Sequence, residues 1–132
     1  MDLMKQKGKK VGIFADVINK IKYSFQGIIY CYTHETSFIF EAIAFVLAII
    51  MNTILQVKPH QWVFSLVSLL LITEIEFLNT AIEAVVDLVT DKYHPLAKIA
   101  KDCGSAATFM ATLVAVIVHF YIYVVPYLPF IK

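Results

Sequence analysis

Three long apolar stretches, from about Phe38 to Leu55, Trp62 to Val89 and Ala106 to Val125, decide what this chain can fold into. Each approaches or exceeds the roughly 20 residues that a helix needs to cross a bilayer. In lipid the backbone must satisfy its own hydrogen bonds, so apolar runs of this length are read as helices. Hydrophobic residues make up 60% of the chain, against about 45–50% in soluble domains. The reading is an all-α membrane protein, one domain over 1–132, with transmembrane helices at 36–56, 61–89 and 103–125.

Ahead of the first span, residues 1–10 are polar and expected to be disordered, and 11–33 are amphipathic at helical period. Ile13, Phe14, Val17, Ile18, Ile21, Phe25 and Ile28 share one broad arc, with Asp16, Asn19, Lys20 and Lys22 mostly outside it. Such a helix lies in the membrane interface with its lysines toward the headgroups. The basic start followed by an amphipathic stretch has no signal-peptide pattern. A tight turn, Gln56 to Gln61, and a longer polar loop, Thr90 to Asp102, are expected between the spans. Six lysines precede the first span, and Lys92, Lys98 and Lys101 sit in the second loop. The positive-inside rule therefore places the N-terminus and that loop in the cytoplasm and the C-terminus outside. Tyr121, Tyr123 and Tyr127 suit an interfacial aromatic belt. Every one of the 11 basic residues is lysine, so a phosphate clamp must use ammonium or backbone N–H groups. A net charge of +1 implies no nucleic-acid partner. Cys31 and Cys103 form no metal-ligand pattern and read as free thiols.

Inside the second span, Glu76, Asn79, Glu83 and Asp87 fall within an arc of about 80° on one helical face. Ionisable groups inside a membrane span are costly and mark a functional site by default. Glu83 and Asp87 lie near the cytoplasmic end, Glu76 about 10 Å deeper, and Glu35 and Glu41 begin the preceding span. Carboxylates of two helices thus meet just below the headgroups, beside Lys101 and Asp102. Hard oxygens there suit Mg²⁺, which prefers a few carboxylates, waters and substrate phosphates. A soluble phosphate donor would arrive from the cytoplasm and a lipid hydroxyl laterally, at the level of Glu76. A general base works best with a pKa near the working pH, and Glu76 is the natural candidate, with Asn79 orienting or coordinating. Glu74 faces the opposite side and reads as a contact to another helix or subunit. His119 reads as a packed or interfacial histidine, and His94 as either a helix cap or a nucleotide contact. Neither a P-loop nor G-x-G-x-x-G is present, which excludes the standard soluble kinase architectures. A proton-conducting proteolipid and a purely structural membrane protein are the competing readings. The first needs a lone carboxylate or a polar pore stripe rather than acids gathered at one end.

The string Glu76-Phe-Leu-Asn-Thr-Ala-Ile-Glu-Ala-Val-Val-Asp87, then Tyr93-His94, then Ala100-Lys-Asp-Cys-Gly-Ser-Ala-Ala107, resembles the prokaryotic diacylglycerol kinase family over roughly residues 15 to 125. The resemblance implies a homotrimeric bacterial inner-membrane kinase, with an interfacial helix and three transmembrane helices, that passes the γ-phosphate of MgATP to a lipid hydroxyl. It implies Glu76 as proton acceptor and Glu35 and Glu83 as Mg²⁺ ligands. Tyr23, Lys92, Tyr93, His94, Lys101 and Asp102 would join those two acids in binding ATP, and Glu41 and Ser105 would join Glu76 at the lipid. Asn79 and Asp87 support the centre, and active sites are shared between subunits. Asp16, Phe25 and Phe40 depart from the family pattern. Gly104-Ser-Ala-Ala107 looks like the diacylglycerol branch, whereas Asp87 to Ala97 is similar to Gram-positive undecaprenol kinases. Diacylglycerol is the expected acceptor and undecaprenol the alternative.

Overall fold

The computed structural model describes residues 12–128, so the expectation for residues 1–10 lies outside the described residues. Four helices follow in order: α1 (Ile13–His34), α2 (Thr36–Ile54), α3 (Pro59–Val89) and α4 (Pro95–Tyr123), with a short 3₁₀ turn at Val125–Tyr127. No strand occurs among the described residues. The chain divides after His34 into two compact units. The first contributes α1, whose C-terminal turn stacks the rings of Tyr30 and His34, 4.3 Å apart. The second contains α2, α3 and α4, all long and apolar enough to cross a membrane.

In the second unit α3 packs along α4, and α2 packs on α3. Two alanines let the helices approach: Ala48 of α2 and Ala115 of α4 form a buried cluster with Leu69 of α3, bordered by Ala44, Phe45 and Ile72. Nearer the start of α2, Phe38 is fully buried and its ring lies 4.6 Å from that of Phe77 on α3. Most other large apolar side chains are exposed, as expected where the solvent is hydrocarbon rather than water.

Helix ends follow local chemistry. α2 stops at Ile54, two residues before the expected boundary, in a Schellman motif. Val57 N–H donates to the Asn52 carbonyl at 3.0 Å and Gln56 N–H to that of Thr53 at 3.3 Å. Gln56 takes the left-handed conformation, φ 50°, which glycine adopts without strain. Both later helices begin with proline in the first turn, at Pro59 and Pro95, where its missing N–H costs nothing. His94 caps α4, its Nδ1 accepting the Leu96 N–H at 3.2 Å. α4 therefore starts at Pro95 rather than 103 and ends at Tyr123 rather than 125. The polar loop expected over Thr90–Asp102 shrinks to Thr90–His94, because Lys98, Lys101 and Asp102 prolong the helix past its apolar stretch.

A buried polar chain joins all three helices at the end away from that loop. Tyr123 donates to Asn52 Oδ1 at 2.8 Å, and Asn52 Nδ2 donates to Ser65 Oγ at 3.1 Å. Ser65 Oγ lies 3.0 Å from His119 Nε2, and His119 Nδ1 lies 2.7 Å from the Ala115 carbonyl. The carbonyl can only accept, so Nδ1 carries the proton and Nε2 accepts from Ser65. Asn52 and Ser65 are fully buried. Tyr123 turns inward to Asn52, while Tyr121 and Tyr127 stay exposed.

Candidate active site

α3 and α4 run antiparallel, so residues one turn apart on α3 meet residues one turn apart on α4 in reverse order. Polar pairs line this seam from its deepest point to the connecting loop. Deepest, the buried Glu76 carboxylate accepts from Thr108 Oγ1 at 2.8 Å. α2 brings Glu41 to the same level, where its half-buried carboxyl faces Thr73 and Glu76, with Oε2 buried and unpartnered.

One turn along, Asn79 lies against Gly104. A Cβ on Gly104 would collide with the Asn79 side-chain oxygen, so only glycine lets the helices come this close. Asn79 Nδ2 donates to Glu83 Oε1 at 3.0 Å, and its Oδ1 is buried with no hydrogen-bond partner. Asn79 thus orients Glu83 rather than Glu76. A turn further, Lys101 pairs with Asp87 at 2.6 Å, and Lys98 pairs with Asp102.

Counted from Trp62, the roughly 20 residues needed to cross the hydrocarbon end near Ala81. Glu76 then lies inside the apolar layer, Glu83 at its edge and Asp87 beyond it. Where α3 and α4 emerge, a cleft of about 370 Å³ opens, lined by Asp87, Lys92, Tyr93, His94, Lys101 and Asp102, among others. It gathers five of the six residues expected to contact a nucleotide besides the two metal carboxylates. The sixth, Tyr23, belongs to α1 in the other unit. Glu35 is the N-cap residue of α2 but makes no side-chain capping bond, which leaves its carboxylate to other work. Ser105 is exposed and lies about 100° around α4 from Gly104, outside the seam. Glu74 is exposed on the other side of α3.

Among the described residues no three His, Cys, Asp or Glu side chains gather into a cage for a metal ion. Mg²⁺ seldom needs one, since one or two carboxylates complete its shell with phosphate oxygens and waters. Glu83, oriented by Asn79, and the uncapped Glu35 are hard oxygen donors of the right kind.

Residues 22–123 match the prokaryotic diacylglycerol kinase family. The chain belongs to that family. It is 39% identical over 104 residues to the diacylglycerol kinase of Escherichia coli K12, covering 79% of this chain and 85% of that one. It is 35% identical over 102 residues to the diacylglycerol kinase of Haemophilus influenzae, covering 77% and 86%. It is also 35% identical over 89 residues to the undecaprenol kinase of Bacillus subtilis, covering 67% and 72%. Membership in this family makes the protein a multi-pass membrane enzyme, a lipid kinase.

Thr108 and the Gly104–Asn79 approach escaped the sequence reading, which followed charged groups. The available signal was their spacing: Gly104 and Thr108 are four apart, hence on one face of α4, and both are small.

Proposed function

We propose that this protein phosphorylates diacylglycerol with MgATP by direct in-line transfer, with Glu76 as general base. The observation that carries the reading is the single polar seam, running from a carboxylate inside the apolar layer to a lysine-lined cleft in water. Such a seam lets two substrates of opposite solubility meet. The nucleotide phosphates approach from the cleft, where Lys101, Lys92 and His94 can face them. The lipid hydroxyl approaches from the bilayer at the depth of Glu41 and Glu76. Glu76 takes the hydroxyl proton as the oxygen attacks the γ-phosphorus, and ADP leaves toward the cleft. Phosphoryl transfer asks little more of a protein than alignment and charge neutralisation.

Mg²⁺, held by Glu83 and Glu35, would neutralise the phosphate oxygens. Asn79 keeps Glu83 turned toward that work, and Asp87 holds Lys101 extended at the cleft wall. Ser105 would contact the lipid. The cytoplasmic membrane, with the cleft inward and α1 lying in the interface, agrees with the lysine distribution. A homotrimer with shared sites is supported by Glu74. An exposed carboxylate at membrane depth is costly, and a neighbouring subunit would cover it.

Diacylglycerol is favoured by the names of most relatives and by Gly104-Ser-Ala-Ala107. Undecaprenol is the second reading, supported by the B. subtilis relative. Labelled phosphate from MgATP, followed in detergent–lipid micelles with the two acceptors offered separately, decides between them. Transfer mainly to diacylglycerol is expected, and transfer confined to undecaprenol overturns the choice of acceptor while keeping the kinase.

A further inference from the structure

We propose that Thr108 is a positioning residue that fixes the Glu76 carboxylate and selects which of its oxygens receives the substrate proton. Resting on the reading of Glu76 as general base, the inference starts from one hydroxyl with two possible acceptors. Thr108 Oγ1 lies 2.8 Å from Glu76 Oε2 and 3.5 Å from the Gly104 carbonyl. Threonine in a membrane helix ordinarily back-bonds to the carbonyl one turn earlier. Here that contact sits at the limit of hydrogen-bond length, while the carboxylate is at the usual length of an O–H···O bond. The hydroxyl proton therefore goes to Glu76.

The arrangement depends on the helix approach beside it. Gly104, one turn before Thr108 on the same face of α4, admits the Asn79 side chain where a Cβ would stand. That approach sets the distance and register of α4 against α3, and so brings the Thr108 hydroxyl to Oε2. Threonine is branched at Cβ and has only two favoured χ1 rotamers in a helix, so holding its hydroxyl on the carboxylate costs little freedom. With Oε2 engaged, proton acceptance falls to Oε1. A neutral donor suits this position. Glu41 on α2 already faces Glu76, Glu83 lies two turns along α3, and no charged residue of α4 lies between Lys101 and the end of the helix except Asp102. A lysine in place of Thr108 would neutralise the base, and a valine would leave it unoriented. Asn79 performs the parallel task for Glu83, so Glu76 and Glu83 are each held by one neutral side chain.

The test is steady-state kinetics of Thr108→Val and Thr108→Ser in the full-length protein, with Glu76→Gln alongside. Valine keeps the shape and removes the hydroxyl, whereas serine keeps the hydroxyl. The expected result is a fall in kcat of about 10- to 100-fold in Thr108→Val, with KM for MgATP within about twofold of wild type. Thr108→Ser should regain most of the lost kcat. Thermal unfolding in detergent reports whether either variant has lost its fold. Wild-type kcat in Thr108→Val, with Glu76→Gln inactive, overturns the proposal and spares the base. An equal loss in both Thr108 variants also overturns it, since packing rather than the hydroxyl would then matter. Activity retained in Glu76→Gln overturns the reading of the base itself.

Discussion

Lys101 has two claims on it: Asp87 holds it at 2.6 Å, and it lines the cleft where phosphates would sit. An exposed ion pair of this kind contributes little to stability, so its value lies in keeping the ammonium extended. Lys101→Met should therefore raise KM for MgATP by about tenfold or more while moving the thermal midpoint little. Kinetics and a melting curve on the same preparation check both halves. Gly104→Ala makes the opposite kind of demand. The added methyl must displace the Asn79 amide, and overpacking costs about 1–3 kcal/mol. Loss of stability and of activity together is expected, since Asn79 orients Glu83. The charged residues of the site were legible because ionisable groups stand out in an apolar run. Asn79 was legible as part of the same stripe, but Gly104, its approach to Asn79, and Thr108 act through distance and geometry, which residue identity alone does not carry.

At the level of elements, α2 ends on a strained residue. Gln56 sits at φ 50°, where a side chain costs about 1–2 kcal/mol. Gln56→Gly should stabilise the fold by about 1 kcal/mol, measurable as slower thermal inactivation in detergent. The buried chain Tyr123–Asn52–Ser65–His119 ties α2, α3 and α4 together at the far end. Ser65→Ala removes its middle member and strands donor and acceptor on both sides. A loss of about 1 kcal/mol is expected, with kcat unchanged because the site lies at the other end of the helices. Membrane helices could be read from the sequence because length and apolarity alone specify them. The start of α4 could not be, because Lys98, Lys101 and Asp102 look like loop residues when judged by polarity. Pro95 at the first turn was the stronger signal.

Across the whole molecule, the division of labour follows the bilayer. α3 has 31 residues, about 46 Å at 1.5 Å per residue, longer than the roughly 30 Å hydrocarbon layer. Its last turns can therefore carry Glu83 and Asp87 out to water while Glu76 stays in the apolar layer. A helix of minimum length could not carry the proposed base, Glu76, and the proposed metal ligand, Glu83, at these two levels on one face. What one chain does not carry is the assembly. Under the proposed trimer a neighbouring subunit would cover Glu74, exposed on α3, and no pattern within one sequence names that partner.

The most direct measurement is phosphate transfer from labelled MgATP to diacylglycerol by wild type and Glu76→Gln, with MgATP binding measured on both. A general base contributes about 10²–10⁴-fold to rate. A loss of kcat of that size in Glu76→Gln, with nucleotide binding retained, is the predicted result. Transfer at the wild-type rate without the carboxylate would contradict it.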